Sequence, residues 1–186
     1  MARTKIVLAG EGGQGVQSIA KILVEAGYEA NKEILYIPNF GVEQRGGVSI
    51  AFCQIADEKI GEPRFSKGDI IIMLSDRAIE RCQVYADKNS TIIYDSSVCT
   101  IKPTCEAKEI IDIPANKIAH DELTVRVFNI IVLGVIIAAT KVISLDYVKS
   151  AMEHALGKKF KAKPELRDLN YKALECGMKL VEKASV

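Results

Sequence analysis

The sequence predicts an α/β fold, a Rossmann-like and mostly parallel sheet flanked by helices, with a helical C-terminal third. Three observations carry this. Short apolar, β-branched runs recur at Lys5–Ala9, Ile34–Ile37, Ile70–Leu74, Thr91–Tyr94 and Glu109–Ile113, each of a length suited to a strand buried on both faces. Stretches of helical spacing alternate with them, as in doubly wound proteins. A cluster of glycines separates the first of these strands from the first of these helices.

The elements follow in order. After the first strand, Val16, Ile19, Ala20, Leu23 and Ala26 follow the 3.6-residue period of a helix. The Ile34–Ile37 strand ends in Pro38-Asn39-Phe40-Gly41. In Val48–Ile55, Val48, Ile50 and Phe52 alternate with smaller or polar residues, the pattern of a strand with two unlike faces, expected to pair antiparallel at a sheet edge. Arg77–Lys88 presents Ile79, Cys82, Val84 and Tyr85 behind Ser75 or Asp76 as a cap. Beyond Pro114 the pattern is helical, with helices expected over Asp121–Ile143, Leu145–Leu156 and Glu165–Ala184, the second closing at Gly157 and the third opening after Pro164. Lys158-Lys159-Phe160-Lys161-Ala162-Lys163 is either a phosphate patch or, the blander reading, a solvated linker between helices.

With 186 residues, of which 48% are hydrophobic and 26% charged, the chain is expected to form a single domain over 1–186, with a sheet portion over 1–114 and a helical portion over 115–186. Lys and Arg number 25 against 24 Asp and Glu, so no diffuse positive field draws the chain to nucleic acid. The most apolar stretch, Val127–Thr140, has 14 residues, against the ~20 of a transmembrane helix. No secretory signal can be drawn at the N-terminus, and the expectation is a cytoplasmic protein with no membrane partner. The five cysteines (Cys53, Cys82, Cys99, Cys105, Cys176) form no Cys-x-x-Cys pair and read as reduced thiols in packing roles, with no metal site. The two histidines, His120 and His154, read as helix-surface residues, and no catalytic residue is assigned.

Gly10-Glu11-Gly12-Gly13-Gln14-Gly15 matches Gly-x-Gly-x-x-Gly between a strand and a helix. Glycines there permit a tight turn and let a diphosphate approach the backbone at a helix N-terminus. The alternative is a turn that needs glycines only to pack. A dinucleotide site also requires an acidic residue at the end of the second strand. Pro38-Asn39-Phe40 stands there instead, which counts against NAD. The loop Pro38–Gly47 should lie at the same end of the sheet, where Arg45 either clamps a phosphate or carboxylate or pairs with Glu43. Asp95-Ser96-Ser97 either binds a ligand hydroxyl or, as Asp and Ser after a strand usually do, makes a turn. Asn129, among Val127, Phe128, Ile130 and Ile131, needs a partner from a neighbouring loop or from a ligand.

Three segments together resemble a known family: Lys5-Ile6-Val7-Leu8-Ala9-Gly10-Glu11-Gly12-Gly13-Gln14-Gly15-Val16, Phe40-Gly41-Val42-Glu43-Gln44-Arg45-Gly46-Gly47-Val48-Ser49, and Asp69-Ile70-Ile71-Ile72-Met73-Leu74-Ser75. They are similar to the gamma subunit of the 2-oxoacid:ferredoxin (acceptor) oxidoreductases, which act on pyruvate, 2-oxoglutarate or 2-oxoisovalerate. Asn129 followed by Leu133-Gly134 fits the same pattern. The resemblance implies a subunit, inactive alone, of a complex that oxidatively decarboxylates a 2-oxoacid to an acyl-CoA. It implies alpha, beta and in some complexes delta subunits as partners, which hold thiamine diphosphate, magnesium and iron–sulfur clusters, with ferredoxin or flavodoxin as acceptor. It further implies a share of the coenzyme A site, in which Gly12, Gly13, Gln14 and Gly15 form the diphosphate loop. Arg45, Gly46, Gly47 and Ser49 would border that loop, and Arg126 and Asn129 would reach it. The family pattern has a glycine near Thr124, which this chain lacks. The rival reading is a stand-alone Rossmann-like nucleotide-binding oxidoreductase. The apolar fraction also suits a homodimer of the isolated chain.

Overall fold

A computed structural model describes residues 3–40 and 47–184. Six strands form one sheet in the order β2-β3-β1-β4-β5-β6. They are β1 (Thr4–Glu11), β2 (Glu33–Phe40), β3 (Val48–Ala56), β4 (Ile70–Met73), β5 (Thr91–Asp95) and β6 (Glu109–Ile113). β1, β4, β5 and β6 pair in parallel, whereas β3 runs antiparallel to both β1 and β2. The helices are α1 (Val16–Glu29), α2 (Asp76–Cys82), α3 (Ala115–Asp121), α4 (Phe128–Thr140), α5 (Leu145–Ala162) and α6 (Glu165–Ala184).

Both faces of the sheet are covered, which explains the continuous apolar runs of β1, β4 and β5. Ile6, Leu8, Ile70, Ile72 and Ile93 face α1, α4 and α6, while Val7, Ala9, Ile71, Met73 and Ile92 face α2 through Ala78, Ile79 and Cys82. α4 is buried almost all round, from Phe128 to Ile137, so its 13 residues form the centre of the helical layer. Among the described residues, no helix is long and apolar enough to cross a membrane.

Four expectations need correction. β3 pairs antiparallel as expected, but it lies inside the sheet and β2 takes the edge. The reason lies in β2, where Pro38 has no N–H to donate and Pro38, Asn39 and Phe40 are exposed, as suits an edge. The helix expected over Asp121–Ile143 is broken: α3 ends at Asp121, Thr124 is extended, and a single 3-10 turn leads into α4. α5 does not close at Gly157, and the basic run is helical to Ala162 rather than a linker. Phe160, 2% exposed, anchors that last turn in the core, with the Arg167 guanidinium over its ring. The helix expected over Arg77–Lys88 gives way after Cys82 to a 3-10 turn, Gln83–Tyr85.

Ser75 does cap α2, its hydroxyl accepting from the Ala78 N–H. Ser75→Ala is expected to cost about 1 kcal/mol in urea unfolding.

Candidate functional site

The chain leaves β1 for α1 and β2 on one side of the sheet, and leaves β4 for α2 and β5 on the other. The carboxyl ends of β1 and β4 therefore flank the point where the winding reverses, the place where open α/β sheets bind ligands. The glycine loop lies there. Gly13 (φ 100°) and Gly15 (φ 77°) adopt left-handed backbone, which other residues reach only with strain. A Cβ on Gly15 would come within 2.8 Å of the Asn129 Cβ. Among the described residues the space above Gly12 and Gly13 is open: a Cβ on either meets none of them within 4 Å. The first intrahelical bond of α1 runs from Ile19 N to Gly15 O. The N–H groups of Val16, Gln17 and Ser18 thus precede the helix's own bonding and face the loop end with the positive end of the helix dipole.

Gln14 has a different place from the rest of the loop. Its Nε2 donates to Leu74 O at 2.7 Å and its Oε1 accepts from Glu11 N at 2.7 Å, so its side chain ties the ends of β1 and β4 together beneath the loop. It holds the loop's shape rather than lining its open face. Gln14→Ala removes both bonds and is expected to cost about 1–3 kcal/mol in chemical unfolding.

Ser49 pairs with Gly10 across the β1/β3 ladder, beside the loop, but its hydroxyl accepts from Gln17 Nε2 at 2.8 Å. Gln17 also donates to Ile50 O, and the Tyr36 hydroxyl donates to Gln17 Oε1. Gln17 and Tyr36 are thus supports of the loop that sequence reasoning missed. A glutamine in a first helical turn reads as solvent-facing, and no periodicity marks it. Gly47 immediately precedes β3, whose Val48 pairs with Glu11. Arg45 and Gly46 lie outside the described residues. Asn129 abuts Gly15 at the start of α4, and Arg126 is exposed on the preceding 3-10 turn.

Arg126 and Asn129 also line a cavity of about 650 Å³ between α1, α4, α5 and α6. Lys21 and Lys159 join Arg126 on its rim, and Phe160 and Leu169 are part of its apolar wall. Three cations beside an apolar wall suit an anion that carries an apolar body. Burial pushes the Cys53 and Cys82 thiols up to about 12, so both stay protonated. Asp95, at the end of β5, is fully buried and accepts from Ser97 N and Asn116 N, capping the turn into α3. Burial raises its carboxyl, against the pull of those donors.

The family model for pyruvate ferredoxin/flavodoxin oxidoreductase matches residues 5–180. The chain belongs to this family. Among its relatives in the pyruvate ferredoxin/flavodoxin oxidoreductase family, the 2-oxoglutarate synthase subunit KorC of Methanocaldococcus jannaschii is 31% identical over 158 residues, 83% of this chain and 82% of that protein. The ketoisovalerate oxidoreductase subunit VorA of Methanothermobacter thermautotrophicus is 29% identical over 173 residues, 93% of this chain. The chain spans only 35% of VorA, so this domain is one part of a longer polypeptide there. Two solved structures share the fold. The gamma subunit of a keto/oxoacid ferredoxin oxidoreductase from Geobacter sulfurreducens superposes with a TM-score of 0.82 at 23% identity, covering 97% of this chain and 99% of that one. A 2-oxoglutarate:ferredoxin oxidoreductase from Magnetococcus marinus, solved with 2-oxoglutarate, coenzyme A and succinyl-CoA, superposes with a TM-score of 0.88 at 22% identity, covering 98% of this chain and 32% of that one.

Proposed function

We propose that this chain is the gamma-type component of a 2-oxoacid:ferredoxin oxidoreductase, a complex that oxidatively decarboxylates a 2-oxoacid to an acyl-CoA, and that its glycine loop carries the coenzyme A diphosphate. The observation that carries the reading is the open loop at the switch point, where Gly12 and Gly13 leave room above the backbone and the first turn of α1 offers its N–H groups. Those features fit a diphosphate, which needs backbone donors at close range and no side chain in the way. The coenzyme A bound in the Magnetococcus marinus enzyme agrees with it.

Coenzyme A, when bound, supplies the thiol that takes the acyl group. This chain's own residues only bind and orient: Gly12, Gly13 and Gly15 through backbone, Gly47 and Asn129 at the rim, and Arg126 by charge. Ser49 and Gln14 hold the loop, and Arg45 and Gly46 join the set on the family resemblance alone. Thiamine diphosphate, magnesium and the clusters belong to the alpha, beta and delta partners, with ferredoxin or flavodoxin as acceptor. The stand-alone nucleotide-binding alternative is disfavoured by β2, which places Glu33 at its start and Pro38-Asn39-Phe40 at its end, so the strand end itself carries no carboxylate for a ribose.

Purified from its native source, the chain is expected to travel with thiamine- and cluster-bearing subunits and to support ferredoxin reduction that requires both a 2-oxoacid and coenzyme A. A lone chain that binds NAD(P)H stoichiometrically in calorimetry would establish the alternative.

A further inference from the structure

Glu25 and Glu29 stand one turn apart near the end of α1 remote from the glycine loop, and His154 of α5 reaches both across the α1/α5 contact. His154 Nδ1 lies 3.0 Å from Glu25 Oε1 and 2.9 Å from Glu29 Oε1. All three atoms fall within 4.8 Å of one another. One imidazole nitrogen carries at most one proton, and the hydrogen bond of Nδ1 is made with Glu25. Glu29 is the most buried of the three, its side chain 20% exposed, and its Oε1 is buried with no hydrogen-bond partner among the described residues. Lys32, nearby on the chain, is engaged with Asp57 instead. Two carboxylate oxygens and a ring nitrogen thus converge where the ring nitrogen offers at most one proton.

We propose that Glu25, Glu29 and His154 form a binding site for a divalent transition-metal cation of the zinc type, which clips α5 to the C-terminal end of α1. Three features agree with it. Metal–ligand bonds of about 2.0–2.2 Å in a tetrahedral shell place donor atoms about 3.4 Å apart, so the 3.0 and 2.9 Å that separate His154 Nδ1 from the two carboxylates need to widen by only a few tenths of an ångström to seat the ion. One nitrogen with two carboxylate oxygens suits zinc, manganese or cobalt better than calcium or magnesium, which favour all-oxygen shells. A cation also satisfies Glu29 Oε1, which a single imidazole proton already given to Glu25 does not. The remaining coordination positions open to solvent, since His154 is exposed. The clip joins residues 129 positions apart, and fastens the helical C-terminal layer to the helix that carries the glycine loop.

The test uses the whole chain, stripped with chelator, titrated with zinc chloride in calorimetry and followed by thermal unfolding. The expected result is one zinc per chain at micromolar affinity, with a midpoint rise of about 5 °C or more when zinc exceeds its Kd a hundredfold. His154→Ala, at an exposed position, and Glu29→Gln, which keeps the shape of a half-buried side chain, should keep the metal-free melting temperature and weaken zinc at least tenfold. Manganese, which avoids thiols, should bind the wild type and not His154→Ala. Absence of binding overturns the proposal, and so does zinc held equally by wild type and His154→Ala, since that metal would sit on cysteines.

Discussion

Gly177→Ala is expected to destabilise the chain by about 3 kcal/mol, a fall of roughly 6–12 °C in melting temperature for a chain of this size. Helix propensity alone predicts the opposite sign, because alanine is favoured over glycine by about 1 kcal/mol in a helix. Close approach of two backbones decides the matter. A Cβ on Gly177 of α6 would lie 1.9 Å from Ile131 O of α4, and one on Gly134 of α4 would lie 2.1 Å from Leu174 O of α6. Both obstacles are main-chain atoms inside helices, which cannot rotate aside. The helices must separate instead, and α4 is the buried centre of the layer, so its displacement opens core on both sides. Gly134→Ala should behave alike, and the double variant should fall short of the sum because both act on one crossing. Gly157→Ala in α5 is the control, since its Cβ meets nothing within 4 Å; there the propensity gain should appear unopposed. Urea unfolding of the four variants measures the contrast.

That crossing shows where sequence reading stops. A glycine within an apolar helix pattern reads as a weak spot, and only the partner backbone reveals its use. The strands buried on both faces were legible because their apolar runs have no polar side to hide: Ile6–Ala9, Ile70–Leu74 and Ile92–Tyr94. The glycine loop was legible because its conformational demand is local, as the positive φ of Gly13 and Gly15 shows. The cap at Ser75 was local as well. Strand order was not local. β3 alternates like an edge strand, yet lies between β1 and β2 because the exposed, proline-bearing β2 is the better edge. The persistence of α5 through Lys158-Lys159 depends on one buried residue, Phe160, within a run that otherwise reads as solvated. At the site, composition located the loop but not its support. Gln14 ties the end of β1 to the residue after β4, and Gln17 joins Ser49 and Tyr36, through side-chain bonds between distant segments, and such partnerships leave no periodic trace.

Gly12→Asp is the substitution with the largest expected effect on function. Unlike Gly13 and Gly15, Gly12 has no left-handed φ, and a side chain there meets none of the described residues. The fold and the assembly should therefore tolerate aspartate. The charge should not be tolerated: a carboxylate a few ångströms from a bound diphosphate opposes it by about 1–4 kcal/mol in the dielectric range of a protein surface, and it competes for the N–H groups at the start of α1. Gly12→Ala separates bulk from charge and should have a much smaller effect. The deciding measurement is the KM for coenzyme A of the assembled complex carrying wild-type, Gly12→Ala or Gly12→Asp chain, with the KM for the 2-oxoacid and subunit stoichiometry taken alongside. A rise of about tenfold or more with Gly12→Asp, confined to coenzyme A and eased in Gly12→Ala, is predicted. An unchanged KM for coenzyme A in a fully assembled Gly12→Asp complex would contradict the placement of the diphosphate on this loop.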